Sequence, residues 1–252
     1  MLGTAVPKSQ ESKWFKLRTT ASVSLVLPMF NEGPAVDVSL RSALAQLEKN
    51  FTDFEIVVAD DASTDGCAEQ VEQWARKDER IKLVRLPRNE QFGGALRAGL
   101  TAGQKGFLVY TDFDLPVPLT DLPRWLEEFS DADVLTGYFA VDVKHINWQQ
   151  TVISKGYNFL VRAFFGVQLR DINFGFKAVR KTVWEGMTLH SRSPFVDAEL
   201  FVRARRLGLR VKQIPVPFTQ RQLGTSHIRR LDVIAWTLLD MARLRWALLL
   251  GR

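Results

Sequence analysis

SVSLVLPMFNEG, residues 22–33, runs apolar side chains straight into a polar stop. A strand lying between core and solvent alternates apolar with polar residues, whereas a strand covered on both faces reads as one apolar run. Pro28 ends the run, so the polar cluster after it belongs to the loop beyond the strand. The same arrangement recurs at DFEIVVADD (53–61), IKLVRLP (81–87), GFLVYTDFD (106–114) and ADVLTG (132–137). Between these runs lie helix-patterned segments, from about Pro34 to Asn50, from about Asp65 to Lys77, over FGGALRAGLTAG (92–103) and over LTDLPRWLEEF (119–129). Strand and helix alternating at this spacing form right-handed βαβ units. The first half therefore predicts an α/β fold with a parallel sheet and helices on both faces.

The second half is less regular. Helices are predicted near 151–165 and 196–207, and a strand over RVKQIPV (210–216). From 229 to 250, Leu231, Ile234, Leu238, Met241, Leu244 and Leu248 recur three and four apart, which predicts an amphipathic C-terminal helix with those six on its buried stripe. From Arg203 to Arg252 there are 11 Lys and Arg against two Asp, a net +9, which leaves −3 for the other 202 residues. So basic an end suits an anionic partner or a solvated helix face. Arg229, Arg230, Arg243 and Arg245 beside Trp236 and Trp246 suit an anionic membrane surface.

With 252 residues, 46% of them hydrophobic, and 17 Phe and 7 Trp, the chain can bury one large core. No stretch approaches the roughly 18 uncharged apolar residues of a membrane span. Residues 1–20 are basic without an apolar segment and read as a mobile lead-in, not a signal peptide. A lone cysteine, Cys67, excludes an intrachain disulfide and fits a reducing cytoplasm. His145, His190 and His227 lack zinc-site spacing. Nucleic acid is not an expected partner, because no binding module is recognisable and the positive charge is confined to one end.

In open α/β sheets, ligands sit beyond the C-terminal ends of the strands. The polar clusters PMFNEG, ADDASTDG, PRN and TDFD fall at four such ends. Taken singly, each is ordinary turn chemistry; taken together, they favour a nucleotide-type pocket. TDFD admits two readings, a tight turn or a pair of carboxylates gripping a cation. If the segment is extended, Asp112 and Asp114 share a face and suit Mg²⁺, which takes one or two protein carboxylates and completes its shell with water and phosphate oxygens. Asp60, Asp61 and Asp65, on the neighbouring loop, are placed to accept hydrogen bonds from a base or ribose.

VLPMFNEG, VVADDASTDG, GGALRAGL and YTDFDLP, in that order, resemble the nucleotide-sugar domain of family 2 inverting glycosyltransferases. RDINFGFKAVRK (170–181) resembles the acceptor-side motif of that family. PFVDAELFVRARRLGLRVKQIPVPFTQRQLGTS (194–226) resembles the closing segment of its polyprenyl-phosphate (dolichol-phosphate) sugar synthases. The resemblance covers roughly residues 22 to 228 and implies a GT-A-type, mostly parallel sheet flanked by helices. It divides the chain into the lead-in, a glycosyltransferase domain over 21–228 and a basic amphipathic helix over 229–252. The domain has a nucleotide-binding half (about 21–137) and an acceptor half (about 138–228).

The resemblance also implies roles. Pro28, Asn31, Glu32, Asp60 and Asp61 line the nucleoside pocket, with Asp61 the leading residue for base recognition. Asp112 and Asp114 hold a divalent metal (Mg²⁺ or Mn²⁺) and the diphosphate, and Arg221 reaches that diphosphate from a mobile loop. Asp197 and Glu199 fall where sugar-accepting relatives keep a catalytic base, and Asp171 lies in the acceptor motif. Lipid-linked relatives carry Ser-Arg after the fifth strand, but TGYFAVDVKH stands here, which leaves Lys144, Arg162 or Lys177 to hold the acceptor phosphate. The closing Ser-Lys pair appears as Ser226 and His227.

The expected activity is transfer of a sugar from a UDP- or GDP-type donor to a polyprenyl phosphate, by a protein peripheral on the cytoplasmic face of a membrane. A phosphomonoester is largely dianionic at neutral pH, whereas a hydroxyl needs a general base. The competing expectations are a soluble transferase acting on a hydroxyl with Asp197 as base, and a non-catalytic membrane-surface module on a retired nucleotide fold.

Overall fold

The computed structural model describes residues 19–140, 148–218 and 231–250. The expected lead-in, up to residue 18, lies outside them. Seven strands make one sheet: β1 (Thr19–Met29), β2 (Phe51–Asp60), β3 (Ile81–Arg85), β4 (Phe107–Thr111), β5 (Val134–Phe139), β6 (Phe176–Arg180) and β7 (Val211–Val216). Their order is β3-β2-β1-β4-β6-β5-β7. The helices are α1 (Val36–Asn50), α2 (Cys67–Lys77), α3 (Gln91–Ala102), α4 (Leu122–Glu127), α5 (Trp148–Phe165), α6 (Lys181–Glu185), α7 (Val196–Arg206) and α8 (Leu231–Leu249).

The apolar runs are explained by two core layers. Leu25, Leu27, Ile56 and Val58 pack on one side with Val36 and Leu40 of α1, Val71 of α2 and Trp125 of α4. Val26 and Val57 point to the other side, with Leu96 and Leu100 of α3, Val161 of α5, Phe201 of α7 and Met241 of α8. Each fully buried Val or Leu contributes about 1.5–3 kcal/mol of transfer free energy, so both faces of β1 and β2 stabilise the sheet. Gly99 lets α3 lie flat on it, because a Cβ there would stand 2.5 Å from Val26 Cγ1.

The sheet is mostly parallel, as expected: it runs parallel through β3, β2, β1 and β4, and β6, antiparallel to both of its neighbours, separates β4 from β5. The extended reading of TDFD is corrected: β4 stops at Thr111, and Leu115 N–H donates to Asp112 O at 3.0 Å, closing a turn around buried Phe113. The expected C-terminal helix is present as α8, with Met241 and Leu244 buried beside Asp240, whereas Leu238 faces outward.

The topological switch lies at β1, whose neighbours β2 and β4 continue the chain in opposite directions across the sheet. In open α/β sheets, ligands bind beyond the strand ends at such a point.

Candidate active site

The loops after β1 and β2 are pinned to each other. Asn31 N–H donates to Ser63 Oγ at 2.9 Å, and Asn31 Oδ1 accepts from Thr64 N–H at 2.9 Å. Asp65 Oδ2 accepts from Gly33 N–H at 2.8 Å, and its Oδ1 accepts from Cys67 N–H at 3.1 Å, near the start of α2. Asp65 therefore braces two loops and is committed to backbone donors. Pro28 is buried within β1, while Asn31 and Glu32 are half-buried at its mouth.

Five non-glycine residues have positive φ among the described residues: Asn31, Ala62, Gln91, Leu115 and Asp171. Left-handed backbone costs about 1–2 kcal/mol per L-residue. Asn31, Ala62 and Leu115 follow β1, β2 and β4, Gln91 opens α3, and Asp171 precedes β6. Strain gathered at one edge of a sheet is the pattern of a functional rim.

The two aspartates ending β2 are buried on different terms. Asp60 is fully buried, its Oδ1 accepting from Ser63 N–H at 3.1 Å. Its Oδ2 has no hydrogen-bond partner, and Arg85 Nε stands 3.5 Å away. Asp61 is also buried, and its Oδ1 accepts from Glu90 N–H at 2.6 Å. Burial pushes the Asp61 carboxyl up to about 6; the Glu90 N–H opposes the rise, and the charges of Asp60 and Glu90 add to it. The Asp60 oxygen without a hydrogen bond holds acceptor capacity for a donor from a ligand.

Asp112 and Asp114 flank the turn after β4, the first exposed and the second half-buried. Gly175 brings the acceptor motif against this turn: a Cβ there would lie 2.8 Å from Asp112 Oδ2, and Thr111 Oγ1 donates to Gly175 O at 2.5 Å. Among the described residues no group of three or more His, Cys, Asp or Glu gathers as a metal cage. Two hard carboxylates beside a crevice fit Mg²⁺ or Mn²⁺ bound together with a phosphate ligand, since such ions take most of their shell from substrate and water.

The acceptor-side residues divide. Lys177 lies in the middle of the sheet, in register with Tyr110 of β4 and Thr136 of β5, and is 1% exposed. Its ammonium donates to Phe174 O at 2.6 Å and pairs with Asp197. Tyr110 OH donates to the other Asp197 oxygen at 2.6 Å. Both oxygens of Asp197 are thus engaged inside the protein. Tyr110 itself carried no signal in the sequence beyond its place before TDFD. Glu199 accepts from His190 N–H at 2.9 Å, Ser191 N–H at 2.7 Å and Arg203 Nε at 2.7 Å, so it holds backbone and does not face an acceptor. Asp171 O accepts from Phe174 N–H at 2.8 Å within the acceptor motif. Arg162 is exposed on α5. Lys144, Arg221, Ser226, His227, Arg229 and Arg230 lie outside the described residues.

This rim, with carboxylates at the ends of β1, β2 and β4, accompanies a sequence match over residues 24–187 to the family described as Glycosyl transferase family 2. The chain belongs to that family. This glycosyltransferase is 33% identical over 202 residues to Glycosyltransferase AglD of Haloferax volcanii, covering 77% of this chain and 32% of AglD. It is 30% identical over 215 residues to the undecaprenyl-phosphate mannosyltransferase of Micrococcus luteus, covering 82% of this chain and 87% of that protein. The chain thus spans about a third of the one relative and most of the other.

Two solved structures show the same GT-A fold. Glucosyl-3-phosphoglycerate synthase of Mycobacterium tuberculosis, in complex with Mn²⁺, UDP and phosphoglyceric acid, superposes with a TM-score of 0.64 at 17% identity, over 88% of this chain and 78% of that one. The mannosyltransferase PcManGT of Pyrobaculum calidifontis, in complex with GDP-Man and Mn²⁺, gives 0.61 at 19% identity, over 93% and 70%.

Proposed function

We propose that this glycosyltransferase moves a sugar from a nucleoside-diphosphate donor to a polyprenyl phosphate, with inversion, at the cytoplasmic surface of a membrane. The glycosyltransferase domain spans residues 21–228, with the basic helix beyond it. The donor's nucleoside occupies the crevice between the β1 and β2 loops, where Asn31 and Glu32 form the wall and Asp61, with the spare acceptor of Asp60, receives base or ribose donors. Asp112 and Asp114 hold the divalent ion, and Arg221, outside the described residues, is the cation assigned to the diphosphate. Bound there, the ion neutralises charge on the departing diphosphate.

The observation that carries the choice of acceptor is the engagement of Asp197. A hydroxyl acceptor needs a general base to take its proton, and Asp197, the carboxylate expected in that role, has both oxygens held by Lys177 and Tyr110. A phosphate acceptor needs no proton removed. One of its oxygens attacks the anomeric carbon from the face opposite the diphosphate, the new C–O bond forms as the old one breaks, and the nucleoside diphosphate departs. The Micrococcus luteus relative, named for an undecaprenyl-phosphate reaction, supports the same class of acceptor.

The outward surfaces of α5 and α8 support a membrane-side location. Trp246 is 66% and Phe159 68% exposed, alongside Trp236, Leu239, Leu249 and Phe164, with Arg162, Arg243 and Arg245 among them. Exposed aromatic and basic residues on these two helices suit the headgroup boundary of an anionic bilayer. Among the described residues no helix is long and apolar enough to cross a membrane.

The test is incubation of the purified chain with UDP- and GDP-sugars and a polyprenyl phosphate in mixed micelles with Mg²⁺ or Mn²⁺. Release of nucleoside diphosphate together with a sugar-bearing lipid phosphate is the expected result. Transfer to sugar hydroxyls instead, lost in Asp197→Asn and rising with pH as a base deprotonates, would replace the phosphate acceptor with a hydroxyl. For the membrane face, Trp246→Glu should abolish co-sedimentation with anionic vesicles.

A further inference from the structure

Residues 186–195 join α6 to α7 without forming regular structure, yet four consecutive amides in this strap are held by carboxylates from two helices. Glu199 of α7 accepts from His190 and Ser191. Asp240 of α8 accepts on Oδ2 from Arg192 N–H and Ser193 N–H, both at 2.9 Å. Glu199 is 1% and Asp240 4% exposed. A carboxylate this deep is costly unless its lone pairs are filled, and backbone donors to a charged acceptor make strong bonds.

The other side of the strap faces the nucleotide half. Arg192 O accepts from Gly93 N–H at 2.7 Å, and Ser191 O accepts from the Arg97 guanidinium. A Cβ at Gly93 would collide with the Ser191 and Arg192 carbonyls, so α3 starts flush against the strap. The Arg192 guanidinium reaches Asn89 O at 3.1 Å and the Glu90 carboxylate at 3.1 Å. Glu90 in turn supplies the N–H on Asp61. Every step from α8 to the base of the nucleotide crevice is a hydrogen bond or an ion pair.

We propose that Asp240 is a positioning residue for the nucleotide pocket, acting through Arg192, Asn89 and Glu90 on Asp61. The proposal rests on the reading of Asp61 as a pocket residue. Loss of the Asp240 carboxylate strands the N–H groups of Arg192 and Ser193, frees the strap to shift and takes Arg192 off Asn89 and Glu90. Glu90 then no longer holds Asp61 at one orientation. The C-terminal helix thereby becomes part of the donor site without touching the donor.

The experiment compares the full chain with Asp240→Ala, Asp240→Asn and Leu244→Ala. It reads amide hydrogen exchange at Glu90 and Gly93 without ligand, and the affinity for UDP and GDP by calorimetry. Asp240→Ala should speed exchange at both amides about tenfold and weaken the bound nucleotide about tenfold. Those changes correspond to about 1.4 kcal/mol each. Asp240→Asn keeps an acceptor oxygen and should restore most of both. Leu244→Ala loosens α8 packing, lowers thermal stability, and should leave both readouts within twofold of wild type.

Unchanged exchange in Asp240→Ala, or equal effects from Leu244→Ala, would overturn the proposal while leaving the nucleotide pocket intact. If Asp240→Ala does not fold, Arg192→Ala breaks the next link and carries the same expectations. Wild-type protein that binds neither nucleotide would overturn the pocket reading itself, and the proposal with it, a failure recognised from the wild-type titration alone.

Discussion

The two ends of β2 bury carboxylates under opposite conditions. Near its start, Glu55 accepts from Ser24 Oγ and Lys82 Nζ at 2.6 Å and from Gln104 N–H at 2.5 Å. Burial pushes that carboxyl up, but Lys82, Ser24 and Gln104 together hold it below its ordinary value. At the other end Asp60 keeps an oxygen without a hydrogen bond, and burial raises Asp61. One end is closed for stability, while the other leaves acceptors under-filled beside strained loops. A single strand thus carries a filled carboxylate toward its base and, on the proposed function, a binding rim at its tip.

The largest expected effect belongs to the rim. Asp114→Asn should lower sugar transfer by about 10²–10³-fold, the scale of removing one electrostatic stabiliser from an active site, with the melting temperature kept. Retained transfer with unchanged metal dependence would detach the turn after β4 from catalysis. Glu55→Ala should do the reverse. Removing it takes the acceptor from Ser24 Oγ and Gln104 N–H, a loss of about 1–3 kcal/mol, read as a lower urea midpoint, with nucleotide affinity unchanged. A nucleotide defect in that variant would mean that the two ends are not separate.

A smaller effect is expected from Asp61→Asn, which should weaken nucleotide binding about tenfold, or about 1.4 kcal/mol, without lowering stability at neutral pH. The smallest is a pH signature of opposite sign at the two ends. An unfolded chain releases the Asp61 proton near the ordinary 3.8 and the folded chain near 6. Between those values the folded state binds more protons, so this group's contribution falls as pH rises and is level above about 6. Glu55 is depressed from 4.5, so its contribution is complete above that value and is lost as pH falls through the lower folded one. Urea titrations of wild type minus Asp61→Asn, and of wild type minus Glu55→Gln, should slope in opposite directions. Parallel slopes would remove the contrast.

The rim was legible in the sequence because continuous apolar runs define parallel strands, and such strands put their loops at one edge. β6 was not legible. FKAVR has a lysine at its second position, which reads as solvent-facing, and Lys177 is buried only because Asp197 meets it from α7. Asp240 and Glu199 were hidden for the same reason: an acid inside a helix reads as solvated until the strap that fills its lone pairs is known. On local chemistry TDFD reads as a turn or as the extended end of a strand. Leu115 adopts positive φ without a glycine, so no residue there marks the turn.

Strand β6 also governs the order in which the molecule can come together. β4 and β5 are complete by Phe139, yet neither has its shared partner until Phe176–Arg180 is laid between them. A chain emerging from the ribosome therefore carries open strand edges until its acceptor motif is synthesised, and such edges invite pairing with other chains. The sheet up to β5 cannot close ahead of the segment that carries β6, so both halves of the chain should melt in one transition. A cut between the halves should yield two aggregating fragments, with neither able to fold by itself.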